Sequence, residues 1–307
     1  MRAMPDDSDL RLVQRPVPVP GRGEVLIRVD HAGVNRADLS QAEGRYPPPA
    51  GASNILGLEV SGHRVDTGER VMALLSAGGY AEYVAVPEGQ VIAVPDAIDQ
   101  THAAAIPESL ATAWSNLVDV LRVEQGETVL IQGGSGSLGL IAVQLARELG
   151  ADVLATAGGK ERCARVEELG ATPIDHTLAV ADHVRAIAPH GVDAVLNIMG
   201  SDIGEMLPLL AVDGRIAAVS LQGGRYSTID IGRLMVKRLT VTGTTLRGRS
   251  TAEKETIVRA AAEFAMPRFA DGRMVPFVAQ QFPLEEARAA FDFLRSARPF
   301  GKVVLDV

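Results

Sequence analysis

The sequence holds a single cysteine, Cys163, in 307 residues. An internal disulfide is therefore impossible, and a cysteine-built zinc lobe is excluded with it. Such sparing use of cysteine fits a reducing, cytoplasmic setting. No run approaches the ~18 apolar residues that a membrane-spanning helix needs. The opening stretch, MRAMPDDSDL, lacks the apolar core of a secretory signal. Basic blocks are missing as well. The net charge is −8, and binding to phosphate backbones depends on clustered Lys and Arg, so nucleic acid and anionic membranes are not expected partners. No low-complexity tract or internal repeat is evident.

What is there is ordinary for a globular protein: 47% hydrophobic and 22% charged residues. The length suits one large or two medium domains. Residues 10–95 read as short strands separated by turns. PVPVPGRGEVLIRVDHAGVN begins with prolines that forbid a helix, then alternates at period two through Val25, Ile27 and Val29. One small helix is expected over Arg36–Glu43, with Asn35 as its N-cap and Gly44 as its stop. Near residue 101 the pattern changes. THAAAIPESLATAWSNLVDVL reads as helix, and from ETVLIQ onward strands alternate with helices, which implies βαβ units and a doubly wound parallel sheet. The tail, from Met274, reads strand, helix, strand, and is expected to return to the first domain. The expected division is 1–108 with 268–307 for the β-rich domain, and 109–267 for the α/β domain.

The most informative segment is VLIQGGSGSLGLIAVQLARELG. Gly134, Gly136 and Gly139 fit G-x-G-x-x-G, and Gly133, Gly136 and Gly139 fit a looser spacing. The loop follows a strand and opens a helix, the context in which glycines let backbone approach a pyrophosphate at a helix N-terminus. Ser135, Ser137 and Leu138 complete the candidate loop. An NAD site usually ends its second strand with a carboxylate for the ribose 2′-hydroxyl. Here DVLATAGGK ends without one, at Gly158 and Gly159, and Lys160 and Arg162 follow, with His176 after the next strand. That charge pattern favours a 2′-phosphate, hence NADPH; the plainer alternative is a solvated helix start.

These words, with GVNRADLSQAEGRYPPPAGASNILGLEVSG, AAAIPE, GGYAEYV, ATAGGKE, DGRIAAVS, VKRLTVTGTTLR and GKVVL, resemble the medium-chain dehydrogenase/reductase superfamily. Within it the chain is similar to the zeta-crystallin-like quinone oxidoreductases, most closely the p53-inducible subgroup. The resemblance implies a GroES-like β-rich catalytic domain plus a Rossmann domain. It also implies a homodimer joined through an edge strand over 239–246, and NADPH-dependent reduction of a small quinone or enone. An enoyl or 2-alkenal reductase and a non-catalytic NADPH-binding protein are the alternatives. Zinc-dependent members carry a Cys where Asn35 stands and a His where Leu58 stands, so no metal is expected. Glu59 and His63 are expected to be a buried pair or surface groups.

The resemblance makes Tyr46 and Asn35 the catalytic candidates, Tyr46 alternatively packing on Pro47–Pro49 and Asn35 alternatively only capping. It assigns coenzyme contacts to Asn35 as well, and to Thr112, Thr245, Leu246 and Arg247, while Asn197, Met199, Ser220, Leu221 and Gln222 are expected to meet the coenzyme from the carboxyl ends of their strands. Thr112 is alternatively an ordinary helix residue, and Arg247 a surface charge. Two departures from the subgroup stand out: a shortened loop in VSGHRVDTGERVMALL, and Gly136 where relatives carry Ser.

Overall fold

The computed structural model describes residues 1–6, 9–200 and 202–307. The chain divides into two compact units, Met1–Ala111 with Leu246–Val307, and Thr112–Thr245. The sequence reading puts the second crossing after residue 267; it falls instead ahead of the helix Thr251–Ala270. That helix lies against the turn Glu88–Gln90 and the strand Val91–Ala93. Gly89 permits the approach, since a Cβ there would sit 2.6 Å from the Glu255 side chain.

The β-rich unit is organised around the strand Glu24–Val34, whose eleven residues pair with three partners. Glu59–Arg64, Tyr83–Pro87 and Lys302–Asp306 all run antiparallel to it. The tail returns as expected: Lys302–Asp306 places Val303 opposite Val34, and Val278–Pro283 adds in parallel outside it. Alternation in Glu24–Val34 buries Val25, Ile27 and Val29 in one apolar cluster with Tyr80, Phe291 and Val303. The shortened loop becomes a tight hairpin between Glu59–Arg64 and Arg70–Leu74, closed by Gly68 at φ 74 and by its N–H to the Arg64 carbonyl.

The second unit is a six-stranded parallel sheet. In space its strands run Thr172–Asp175, Asp152–Ala157, Thr128–Gln132, Val192–Asn197, Leu210–Ala218, Thr240–Gly243. Numbered along the chain, that order is 3-2-1-4-5-6, the dinucleotide-binding arrangement whose ligand side is the carboxyl end of the strands. Strand cores such as Val129–Ile131 and Ala194–Leu196 are fully buried, as a parallel sheet covered on both faces requires.

Two local expectations change. The Ala-rich stretch is not one helix but Gln100–Ala103, Pro107–Trp114 and a wider π turn over Ser115–Val120. Pro107 has no N–H for an i→i−4 bond, so the helix restarts there with proline in its first turn. The edge strand expected over 239–246 is only Thr240–Gly243.

Candidate functional site

The glycine loop leaves strand Thr128–Gln132 and enters helix Ser137–Glu148, whose N-cap position, Gly136, supplies no side chain to the first N–H groups. Those donors and the positive end of the helix dipole are what an anion requires. Each glycine has its own constraint. Gly133 sits at φ 85, and its N–H donates to Thr156 Oγ1 at 2.9 Å. A Cβ on Gly134 would meet the Ala155 Cβ at 2.7 Å, and one on Gly139 would lie 2.1 Å from the Gly133 carbonyl oxygen. Gly136, at φ −85, has nothing closer than 3.7 Å. So the loop needs glycine at 133, 134 and 139, whereas a Ser at 136 would fit.

The carboxyl ends of the neighbouring strands converge on this loop. The Met199 Sδ lies 3.0 Å from where a Gly133 Cβ would be. Asn197 is fully buried and its Oδ1 accepts from the Gly200 N–H at 2.8 Å. A Cβ on Gly200 would in turn meet the Ser220 carbonyl oxygen at 2.3 Å and the Leu221 Cα at 3.0 Å. Leu221 is 67% exposed and Gln222 is exposed, its N–H reaching Ser220 Oγ. Thr112 is buried and its carbonyl accepts from Asn116 Nδ2; Thr245 is exposed.

A second group lies past strand Asp152–Ala157. Gly158 and His176 touch, since a Cβ on Gly158 would lie 2.8 Å from His176 Nε2. Lys160 is exposed and Arg162 half-buried on the helix Gly159–Glu168. One carboxylate here escaped the sequence reading. Asp175 stands opposite Ala157 in the parallel ladder. Its Oδ1 accepts from the N–H groups of Gly159 and Thr177 and from Thr177 Oγ1. Those hydrogen bonds, led by the Thr177 N–H, hold its carboxyl below the usual range. Only the strand pairing brings it there; in the sequence it is eighteen residues past Ala157.

In the β-rich unit the small helix Arg36–Ala42 forms as expected, but Asn35 does more than occupy its N-cap position. Its Nδ2 donates to Glu59 Oε1 at 2.8 Å, and its Oδ1 accepts from Lys302 Nζ at 2.6 Å. Lys302 Nζ also reaches Glu59 Oε1 at 2.5 Å, and Glu59 Oε2 accepts from the Glu108 N–H at 2.9 Å. Both charged side chains have no solvent exposure. Glu59 therefore pairs with Lys302 and not with His63, which is partly exposed and sits 2.8 Å from Asp30. The helix start is held by Asp38, whose Oδ2 accepts from the Asn35 N–H and the Tyr80 hydroxyl, and whose Oδ1 accepts from the Gly57 N–H. Burial pushes the Asp38 carboxyl up to about 7, the N–H and hydroxyl donors opposing it. Burial likewise raises the Tyr80 phenol.

Beyond the other end of that helix, the Arg45 and Tyr46 N–H groups return to the Ser40 carbonyl. Tyr46 is half-buried, and Arg247 packs over its ring with the guanidinium carbon 5.1 Å from the centroid. Arg247 is 6% exposed, so the alternative of a surface charge is excluded. Gln41 and Lys254 join Arg247 in this cluster; sequence reasoning missed both, because nothing in their local pattern sets them apart. Leu246 is half-buried beside them and lines a small cavity with Leu58, Leu74 and Leu75.

Among the described residues there is no group of three or more His, Cys, Asp or Glu that could hold a metal ion, and no helix is long and apolar enough to cross a membrane. Burial raises the Cys163 thiol above its ordinary value, which disfavours the thiolate.

Comparison with known proteins adds family information to this geometry. Residues 21–96 match the family described as alcohol dehydrogenase GroES-like domain, and residues 137–263 match the zinc-binding dehydrogenase family. A quinone oxidoreductase of Lama guanicoe is 32% identical over 304 residues, covering 94% of this chain and 90% of that protein. The quinone oxidoreductase of Thermus thermophilus, crystallised also with NADPH, aligns at a TM-score of 0.89 and 35% identity over 100% of both chains. A crystal structure of an NAD-dependent alcohol dehydrogenase aligns at 0.86 and 28% identity, again over 100% of both.

Proposed function

Because the chain belongs to the medium-chain dehydrogenase/reductase superfamily, among its quinone oxidoreductase-like members, we propose that it is a zinc-independent NADPH:quinone oxidoreductase. When bound, NADPH would supply the hydride that reduces a quinone or a similar electron-poor acceptor. The observation that carries the coenzyme choice is the end of strand Asp152–Ala157. No carboxylate follows on that strand, and Lys160 makes no hydrogen bond or ion pair among the described residues. Asp175 spends Oδ1 on Gly159 and Thr177 and so orders the turn. Lys160, Arg162 and His176 would face the 2′-phosphate, a dianion that a cationic turn favours over a bare hydroxyl.

The residues around the loop fit such a coenzyme. Gly133–Gly139 would present backbone N–H groups to the pyrophosphate. Asn197, Met199, Ser220 and Leu221 line the strand ends beyond it, on the side where the ribose and nicotinamide belong. Tyr46 would donate its hydroxyl hydrogen bond to the acceptor oxygen, where negative charge gathers as reduction proceeds. Asn35 has its Oδ1 and one amide hydrogen committed to Lys302 and Glu59, which leaves it one N–H to offer.

Zinc does not fit. Asn35 offers an amide and Leu58 a hydrocarbon, neither a zinc ligand of the usual kind. The cation facing Glu59 is already present as the Lys302 ammonium. No step of the proposed reaction runs through a metal. Pairing of two copies along strand Thr240–Gly243 would complete a sheet edge that, among the described residues, has a partner on one side only. The single cysteine suits a cytosolic enzyme.

The test is NADPH oxidation with 9,10-phenanthrenequinone, 1,4-benzoquinone and a 2-alkenal. Turnover with the quinones is expected. Turnover with the alkenal alone would make the protein an alkenal or enoyl reductase, and NADPH binding without any turnover would make it a non-catalytic binding protein. Combined Lys160→Glu and Arg162→Glu should weaken NADPH at least tenfold more than NADH; equal losses would remove both from the phosphate site.

A further inference from the structure

Arg247 is a buried cation without a carboxylate. Among the described residues no Asp or Glu lies within ion-pairing distance of it, and the same holds for Lys254 beside it. Burial accordingly pushes the Arg247 guanidinium down, opposed by the charges of Asp38 and Asp6. A buried charge of this kind is retained only where its donors are satisfied. Here each of its three nitrogens donates to a neutral oxygen. Nε donates to the Ser76 carbonyl at 2.7 Å, Nη1 to the Tyr46 carbonyl at 3.1 Å, and Nη2 to Gln41 Oε1 at 2.5 Å. Gln41 is itself oriented by its Nε2, which donates to Asp6 Oδ2 at 3.2 Å. Lys254 Nζ holds the other side, at Ser76 Oγ and the Arg247 carbonyl. The face of the Tyr46 ring takes the remaining surface of the guanidinium, an arrangement in which the ring quadrupole favours the cation.

We propose that Arg247 is a positioning residue that clamps Tyr46, gripping both its main chain and its ring, so that the phenol is presented in one orientation to the acceptor oxygen. The proposal rests on the role given to Tyr46 above. It differs from a coenzyme contact through the guanidinium in what it reads: each of the three nitrogens donates to an oxygen of the β-rich unit, one of them on Tyr46 itself. It also differs from a plain structural anchor. Tyr46 follows the helix-ending Gly44 at φ 72 and is only half-buried, so burial alone does not fix its ring. A planar fork that binds three acceptors while stacking is a geometry Lys cannot reproduce.

The direct test is fluorine NMR of the full chain labelled with 3-fluorotyrosine. The sequence has four tyrosines, and loss of one resonance in Tyr46→Phe identifies the one wanted. In Arg247→Lys the Tyr46 resonance should move by more than its linewidth toward that of Tyr226, which is 92% exposed. Tyr80, with no exposure, should stay put and so report an intact fold. An unmoved Tyr46 resonance overturns the clamp. Should Arg247→Lys fail to fold, Gln41→Met removes one anchor only and is read in the same way.

A second arm reads turnover. Arg247→Lys should lower kcat about tenfold with KM for NADPH within twofold, and in a Tyr46→Phe background the same change should cost less than twofold. A tenfold loss that persists without the phenol, or a tenfold rise in KM for NADPH, overturns action through Tyr46. If Tyr46→Phe alone leaves kcat unchanged, the catalytic reading of Tyr46 falls, while the fluorine shift still decides the clamp.

Discussion

Asp38 and Lys302 are both ionisable side chains sealed from water, yet their surroundings treat charge differently. Lys302 faces a carboxylate and an amide oxygen at hydrogen-bond distance. Among the described residues, the hydrogen-bond partners of Asp38 are N–H and O–H donors, and burial lifts its carboxyl to about 7. A carboxyl raised above its unfolded value binds protons more tightly in the folded state. Stability from this group is therefore greatest at low pH and falls as pH rises through about 7. Urea unfolding of the wild type against Asp38→Asn should show their difference shrinking by about 2–3 kcal/mol from pH 5 to pH 8. A pH-independent difference would rule the raised carboxyl out. For Lys302→Met the cost should be about 3–5 kcal/mol, because Glu59 is left buried without its cation. Adding Glu59→Leu should recover part of that loss; a double variant as unstable as the sum of the two singles would show that the pair is not coupled.

At the scale of the element, the glycine loop separates pattern from necessity. The strand–loop–helix order was legible because apolar residues change period from two to 3.6 across the glycines. Which glycine the turn cannot do without was not legible, since the motif treats them alike. A Cβ on Gly139 would lie 2.1 Å from a carbonyl oxygen, whereas one on Gly136 would make only an ordinary contact at 3.7 Å. Gly139→Ala should weaken NADPH binding at least tenfold and lower the melting temperature by several degrees; Gly136→Ser should leave both within error. Equal effects, read by calorimetry and coenzyme titration, would contradict this account. The Ala-rich stretch after residue 101 failed as one helix for a related reason: propensity favours helix throughout, and one proline overrides it.

For the whole molecule, the proposed pairing of two copies depends on strand Thr240–Gly243 and on its apolar surroundings. In the helix just ahead of it, Ile231 is 59% exposed, Met235 71% and Val236 80%. Exposed apolar side chains grouped beside an open sheet edge call for cover. Sedimentation velocity should give twice the chain mass, and Met235→Asp with Val236→Asp should shift it to the single chain; a wild-type monomer at micromolar concentration would end the proposal. The alternation of strands and helices and the glycine loop between a strand and a helix could be read from the chain, because each follows from residues close together in it. The partners of the buried charges could not. Lys302 meets Asn35 across 267 residues, and Arg247 meets Gln41 across 206. Such contacts carry no local periodicity; they exist only once the returning strand Lys302–Asp306 pairs with Glu24–Val34, and the segment after Leu246 folds back onto the β-rich unit.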